Sequence, residues 1–255
     1  MLYSIVIPMY NERAVIADTL RELADVLERA SEAGGWRYEI LISDDGSDDG
    51  CGTVAEETAK TLVLRRGTAE VLRAEKNRGK GAAVRLGMLA ARGDWRLFTD
   101  SDLAYGAEII PAFLEDALEK QKENEASGGC GVLAGSRNAA KDGYRGYTLL
   151  RKTASRAYLK ILSATAGFRY SDSQCGIKLF RGDAAEKIFS LAGTDGWAFD
   201  FEALMLADRL GFPVYEHPVR VLRHRASKIR VLRDSLGMLA EVGRIRKRVK
   251  EKTGG

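Results

Sequence analysis

Asp100-Ser101-Asp102 sets two carboxylates one residue apart, directly after the apolar run Trp95–Thr99. Carboxylate oxygens so spaced can share a hard divalent cation. A cation held there would bridge a diphosphate and stabilise negative charge on a departing group. The alternative for any lone Asp-x-Asp is a solvated acidic turn.

Three further polar clusters also begin where an apolar run stops. Pro8-Met9-Tyr10-Asn11-Glu12 follows the first run, and Asp44-Asp45-Gly46-Ser47-Asp48-Asp49 follows the second. Two acidic loops side by side are poor hosts for bare phosphate. They suit the neutral parts of a nucleotide, because carboxylates accept hydrogen bonds from base N–H groups and ribose hydroxyls. Turn and helix-cap chemistry is the competing account of the second loop, with Asp-Gly for the turn and Asp48 or Asp49 for the cap. In Asn77-Arg78-Gly79-Lys80-Gly81 the glycines let backbone approach a ligand, while Lys80 and a helix N-terminus favour an anion. The glycine spacing matches neither a Walker A loop nor a dinucleotide fingerprint. Each cluster is weak alone, but four of them at successive strand ends are hard to assemble by accident.

The elements that must hold these clusters follow from hydrophobic periodicity. Strands are expected at Tyr3–Pro8, Tyr38–Ser43, Glu70–Arg73, Trp95–Thr99 and Gly131–Gly135, with helices at Arg13–Ser31, Asp49–Thr61, Gly81–Ala91 and Ala107–Glu119. Alternation of this kind predicts an α/β fold with a mostly parallel central sheet flanked by helices. Ligands then bind beyond the carboxyl ends of the strands. Farther on, Arg145–Gly167 reads as a basic amphipathic helix, Ile177–Arg181 as a short strand, Asp200–Leu210 as a helix and Val214–Arg220 as extended. Arg230–Lys250 reads as a second basic amphipathic helix. The expected organisation is one catalytic domain over 1–229 and a basic helical tail over 230–255.

The 255 residues carry a net charge of +4, unevenly spread. From Arg220 onward there are 12 Lys or Arg against 3 Asp or Glu, so a basic end follows a mildly acidic body. Such an end could meet anionic lipid or a phosphorylated substrate. Nucleic acid is not expected, because no stacking aromatics are interleaved there. The three cysteines are scattered and odd in number, which predicts reduced thiols rather than a zinc site. With no basic start or cleavage site, and no apolar run of about 18 residues, neither a targeting peptide nor a transmembrane helix is expected. Two histidines and no Gly-x-Ser-x-Gly elbow argue against a Ser-His-Asp hydrolase.

Taken together, Ile5-Val6-Ile7-Pro8-Met9-Tyr10-Asn11-Glu12, Asp44-Asp45-Gly46-Ser47, Asn77-Arg78-Gly79-Lys80-Gly81 and Asp100-Ser101-Asp102 resemble family 2 glycosyltransferases with the Rossmann-like GT-A fold. A narrower similarity, to the dolichyl-phosphate glucosyltransferase branch, runs through Asp102-Leu103-Ala104-Tyr105, Asp172-Ser173-Gln174-Cys175-Gly176-Ile177-Lys178-Leu179-Phe180, Trp197-Ala198-Phe199-Asp200 and Ser227-Lys228. Mannose-transferring relatives usually carry Gln at the position of Ala104. The resemblance implies that Glu12 and Asp44 bind base and ribose, that Pro8 and Tyr10 shape that pocket, and that Lys80 positions the diphosphate. Asp100, Ser101 and Asp102 would address the donor, with Mg²⁺ or Mn²⁺ on the two carboxylates. Arg137, Arg151, Ser155 and Lys228 would reach the acceptor phosphate. It implies a nucleotide-sugar donor, UDP-glucose before GDP-mannose, and a polyprenyl-phosphate acceptor. It also implies a peripheral protein on the cytoplasmic face of a membrane. No oligomeric state follows.

The acceptor's chemistry decides whether a base is needed. An attacking alcohol must lose a proton. A phosphate monoester, whose second pKa is about 6, is already a nucleophilic dianion near neutral pH. The expected reaction is direct displacement at the anomeric carbon with inversion. Asp172 and Asp200 are the fallback bases for a hydroxyl acceptor, such as a polysaccharide or glycolipid. Their structural alternatives are a loop or Arg partner for Asp172 and a helix cap for Asp200. A nucleotide-binding subunit without turnover is the remaining alternative.

Overall fold

The computed structural model describes residues 1–143, 159–164, 166–223 and 231–254. The first half alternates as expected: β1 (Leu2–Met9), α1 (Ile16–Gly34), β2 (Arg37–Asp44), α2 (Cys51–Thr61), β3 (Gly67–Arg73), α3 (Lys80–Ala90), β4 (Trp95–Thr99) and α4 (Ile109–Glu123). Then come β5 (Val132–Ser136), β6 (Ile177–Arg181), α5 (Gly182–Leu191), α6 (Phe199–Arg209), β7 (Val214–Pro218) and α7 (Val231–Thr253).

Seven strands form one sheet in the order β3-β2-β1-β4-β6-β5-β7. β1 pairs in parallel with β2 on one side and β4 on the other. Successive crossovers therefore run outward from β1 to β3, and the chain then returns to β1's far side for β4. That reversal is a topological switch point, where the loops after β1 and β4 part and leave a crevice. The β1–β4 ladder ends at Val6↔Phe98, so Pro8, which has no N–H to give, is paired only with Ser43 of β2.

β6 runs antiparallel between β4 and β5, and β7 is parallel to β5. This arrangement brings the end of β5, the start of β6 and the end of β7 to the edge where β1, β2 and β4 end. The polar stretch Ser171–Gly176 thereby reaches the same rim as Asp100 although more than seventy residues separate them in the chain.

Strand side chains alternate between two cores. Tyr3, Ile5 and Ile7 pack with Ile16, Leu20 and Leu23 of α1 and Ile110 and Phe113 of α4. Val6, Leu41 and Phe98 pack on the other face with Val84 and Met88 of α3, Ile188 and Phe189 of α5 and Leu204 of α6.

α7 joins this second core. Val242, Ile245 and Val249, at helical spacing, are buried in it. Arg248 Nε lies 3.2 Å from Glu202 Oε1, and Lys252 Nζ donates to the Leu191 carbonyl at 2.7 Å. Arg244, Arg246, Lys247 and Lys250 stay exposed. The apolar stripe expected on a basic tail is thus, over this half of the helix, covered by the domain itself. Ile245→Val is expected to cost about 0.5–1.5 kcal/mol of stability. Urea denaturation checks this, and an unchanged midpoint would place Ile245 outside the cooperative unit.

Candidate active site

The turn after β4 is tightly built. Leu103 adopts φ 46°, which lets the chain fold back so that its N–H meets the Asp100 carbonyl at 3.1 Å. A left-handed leucine is a strained choice that persists only where its surroundings enforce it. Here the Thr19 hydroxyl of α1 donates to the Ser101 carbonyl at 2.5 Å, and Ala104 N–H donates to Asp102 Oδ1 at 3.1 Å. Ser101 is buried and the two flanking aspartates are half-buried.

Lys80, the first residue of α3, sets its Nζ 2.5 Å from Asp100 Oδ1. Burial works against its charge, but Asp100, Asp200 and Asp102 outweigh burial and raise the ammonium above its ordinary value. The rings of Trp197 and Phe199 lie 5.5 and 5.8 Å from the same nitrogen, close enough for cation–π attraction. Asp102 is pushed up, first by burial and then by the Asp100 charge. Glu12 adds a smaller push in the same direction, which puts the β1 loop beside the β4 turn.

Behind Lys80 sits a second pair. Lys178 is fully buried in β6, and its Nζ donates to Asp200 Oδ1 at 2.6 Å and to the Cys175 carbonyl at 2.8 Å. Burial raises the Asp200 carboxyl despite the opposing pull of Lys178 and Lys80. Lys178, Asp200, Lys80 and Asp100 thus form a ladder of alternating charge from the core to the rim. Reading the sequence assigned no role to Lys178. The signal was present, because a lysine within an apolar strand is buried only when paired.

The glycine loop is held differently from the expectation. Gly79 takes φ 116°, and its N–H and that of Arg78 donate to the Asp45 carboxylate at 2.7 and 3.0 Å. The Gly81 and Ala82 N–H groups donate to the Asp195 carbonyl at 2.8 and 3.3 Å. The Gly81, Ala82 and Ala83 N–H groups are therefore occupied within the chain, and the Lys80 side chain is the charged group this helix start offers an anion. Arg78 and Arg85 clasp the Asp195 carboxylate at 2.9 and 2.5 Å. Asp45 and Asp195, neither assigned a role from sequence, are the fasteners of this loop.

The acidic loop after β2 divides its labour. Asp44 Oδ1 accepts the Ser47 N–H and hydroxyl at 3.0 and 2.5 Å. Asn11, at φ 53°, exchanges hydrogen bonds with Asp48 at 2.8 and 3.1 Å. Asp49 accepts the Cys51 and Arg13 N–H groups, each at 2.9 Å. Asp48 and Asp49 are stitches between the two loops rather than the expected helix cap: the N-cap of α2 is Gly50, with no side-chain cap hydrogen bond. Tyr10 is exposed at the loop's outer face, and Pro8 is buried in β1.

Arg137, just past β5, and Asp172 are both buried. Arg137 donates to Asp172 from Nε at 2.7 Å, from a guanidinium NH₂ at 2.9 Å and from its backbone N–H at 3.1 Å. Burial raises the Asp172 carboxyl, but Arg137 outweighs burial and holds it below its ordinary value. A carboxylate so engaged is not placed to take a proton from an acceptor, so its structural alternative, an Arg and loop partner, is the one the geometry has. Tyr105 lies between this pair and Asp100. Its hydroxyl accepts the Gly176 N–H at 3.3 Å, and its own ionisation is suppressed by burial. Arg151, Ser155 and Lys228 lie outside the described residues, as do Arg145, Lys152, Arg156 and Arg225. Leu222 and Arg223 N–H groups donate to the Ala104 carbonyl at 2.8 and 3.2 Å, which fastens them to the turn after β4.

Gly176 faces the Asp100 carboxylate closely. A Cβ there would lie 2.0 Å from Asp100 Oδ2, so Asp100 or the strand would have to move. Gly176→Ala is expected to lower turnover about a hundredfold, the scale of a displaced reactive group. Steady-state kinetics on the folded variant checks this, and wild-type turnover would show that Asp100 needs no fixed position.

Asp100 and Asp102 fit a hard divalent cation in part. Among the described residues no three His, Cys, Asp or Glu side chains gather as a metal cage. The protein thus offers up to two carboxylates, and the remaining oxygens would come from substrate phosphate and water, a common pattern for Mg²⁺. Burial and then the Asp100 charge disfavour the Asp102 carboxylate, and a cation between the two would favour it.

A two-carboxylate turn and a lysine thus stand together at the switch point of a mostly parallel sheet. The glycosyl transferase family 2 model matches residues 4–189, and the chain belongs to that family of enzymes. It is 34% identical over 230 residues to a dolichyl-phosphate beta-glucosyltransferase of Drosophila melanogaster, covering 89% of this chain and 68% of that one. The protein of the same name in Saccharomyces cerevisiae is 33% identical over 257 residues, covering 95% and 73%. Among solved structures, glucosyl-3-phosphoglycerate synthase of Mycobacterium tuberculosis, crystallised with Mn²⁺, UDP-glucose and phosphoglyceric acid, superposes with a TM-score of 0.62. That match is 20% identical and covers 99% of this chain and 79% of the other, a likeness of GT-A fold.

Proposed function

We propose that this enzyme transfers glucose from UDP-glucose to a polyprenyl phosphate of the dolichyl type, with inversion at the anomeric carbon. The curated relatives carry that acceptor and that sugar in their names. The observation that carries the reading is that both candidate bases are held by cations. Asp172 is clasped by Arg137 and Asp200 by Lys178. A hydroxyl acceptor would need one of them free, and a phosphate dianion needs neither.

One of the acceptor's phosphate oxygens attacks the anomeric carbon as the bond from that carbon to the donor's diphosphate breaks. The bonding electrons leave with the nucleoside diphosphate, so no proton transfer is required. Glu12 and Asp44 take up base and ribose. Lys80 meets the charge that grows on the diphosphate, a contact stronger in the transition state than in the ground state. Asp100 and Asp102 would hold Mg²⁺ or Mn²⁺, which supplies further positive charge to the leaving group. Arg137, with Arg151, Ser155 and Lys228, positions the acceptor phosphate. No described helix is long and apolar enough to cross a membrane. A lipid-linked acceptor puts its phosphate at a membrane surface, and the proposal sets the enzyme peripherally on the cytoplasmic face, with its exposed basic residues toward the lipid.

The test is incubation of the purified protein with vesicles containing dolichyl phosphate and a panel of radiolabelled nucleotide sugars, with Mg²⁺ or Mn²⁺. The expected product is an acid-labile labelled lipid made from UDP-glucose and not from GDP-mannose. An acid-stable glycoside, or no product from any donor, would contradict the proposal.

A further inference from the structure

The Lys80 ammonium occupies the oxygen that a divalent cation would seek. Its Nζ is 2.5 Å from Asp100 Oδ1, while Asp102 Oδ1 accepts the Ala104 N–H at 3.1 Å. An ammonium 2.5 Å from Asp100 Oδ1 and a divalent cation on the same carboxylate would lie a few ångströms apart and repel, so the two compete for Asp100. We propose that Lys80 is a built-in placeholder for the cation, holding Asp100 until cation and diphosphate arrive together, then turning from Asp100 to the diphosphate. The proposal rests on the reading of Asp100 and Asp102 given above.

The surroundings allow such an exchange. Lysine's ammonium rides on a flexible four-carbon stem, so a short swing needs no backbone movement. The stem starts at the first residue of a helix whose end is fastened by Asp195, so its base is fixed. Trp197 and Phe199 offer ring faces 5.5 and 5.8 Å from Nζ, which favour the cation on either side of the swing. Asp200, anchored by Lys178 at 2.6 Å, attracts the ammonium from behind and limits how far it travels.

The consequence is coupling. A cation entering alone meets the repulsion of Lys80, and an ammonium pushed off Asp100 exchanges that close ion pair for the weaker attraction of Asp200 and the two rings. When a diphosphate enters with it, Lys80 gains one. Donor and cation should therefore each raise the other's affinity, by equal factors. Free cation would be captured poorly, and the site would load with the pair.

Mn²⁺ binding measured by electron paramagnetic resonance, with and without UDP, tests this directly. Wild-type protein should bind Mn²⁺ weakly alone and more tightly with UDP. Lys80→Met should bind Mn²⁺ alone about tenfold more tightly than wild type, because its competitor is gone. UDP should enhance its Mn²⁺ binding less than it does in wild type, because the part of the coupling that runs through Lys80 is gone. Equal or weaker Mn²⁺ binding by a folded Lys80→Met protein overturns the placeholder and leaves the metal reading intact. If Lys80→Met does not fold, wild-type crystals decide. With Mn²⁺ and UDP the Lys80–Asp100 contact should be broken and Nζ should lie on the diphosphate, and a contact that persists overturns the inference. No Mn²⁺ bound by wild-type protein even with UDP would remove the metal reading beneath it.

Discussion

Asp102→Ala is expected to fold and to lose about a thousandfold in turnover, the scale on which a group that stabilises transition-state charge contributes. Stability should move the other way. Burial and the neighbouring Asp100 charge raise the Asp102 carboxyl in the folded protein. A carboxyl with a raised folded pKa destabilises the fold above that pKa and ceases to do so below its unfolded value. Removing it should leave the melting temperature equal or higher near neutral pH, with the gain fading as pH falls into the carboxylate range. A loss of activity with unchanged or improved stability is the signature of a side chain kept for chemistry. Steady-state kinetics beside thermal melts at several pH values separates the two effects. Wild-type turnover in Asp102→Ala would remove the second carboxylate from the mechanism.

Arg137→Met is expected to destabilise the fold by about 3–5 kcal/mol, since it leaves the Asp172 charge buried and unpaired. For a chain of this size that corresponds to a fall in melting temperature of roughly 6–20 °C. Both partners are buried, and three donors of Arg137 converge on one carboxylate. In the wild type, Arg137 holds the Asp172 carboxyl below its ordinary value. The stability this contributes is present above the unfolded carboxylate pKa and is lost as pH falls through the lower folded value. In the variant the sign reverses, because an unpartnered buried carboxyl prefers its proton. The gap between wild type and Arg137→Met should therefore narrow on acidification. Urea denaturation at neutral and acidic pH reads it, and a constant gap would mean that Asp172 is not the group left stranded.

The first half of the chain was legible because its information is local. Each parallel strand is a short apolar run, each is followed by its polar cluster, and each helix carries its own periodicity. Trp95–Thr99 and Ile177–Arg181 are strands as read, and Asp100-Ser101-Asp102 sits where a strand end should put it. β3 starts earlier than Glu70, because Gly67–Ala69 have a weak alternating pattern and gain their strand character by pairing with β2. α5 was not read at all. Its ten residues begin with Gly182, and only Ala184, Ala185, Ile188 and Phe189 carry its buried face.

What was not legible is set by long-range pairing. Nothing local in Ile177–Arg181 says that it runs antiparallel between β4 and β5. Without that, the placement of Asp172, Gly176 and Lys178 beside the Asp100 turn cannot be derived. The roles of Asp45 and Asp195 were hidden for the same reason, since their partners Arg78, Gly79 and Arg85 are far away in sequence. Asp172 and Asp200 looked like spare bases because a carboxylate in a sequence carries no sign of the cation that will hold it.

In the proposed reaction Asp100 and Asp102 carry a divalent cation against the donor's diphosphate. Crystals grown with Mn²⁺ and UDP, measured at the manganese absorption edge, test it most directly. One anomalous peak is expected about 2.0–2.4 Å from a carboxylate oxygen of Asp102 or Asp100 and from a diphosphate oxygen. A bound UDP whose diphosphate lies away from both carboxylates, with no manganese between them, would contradict it.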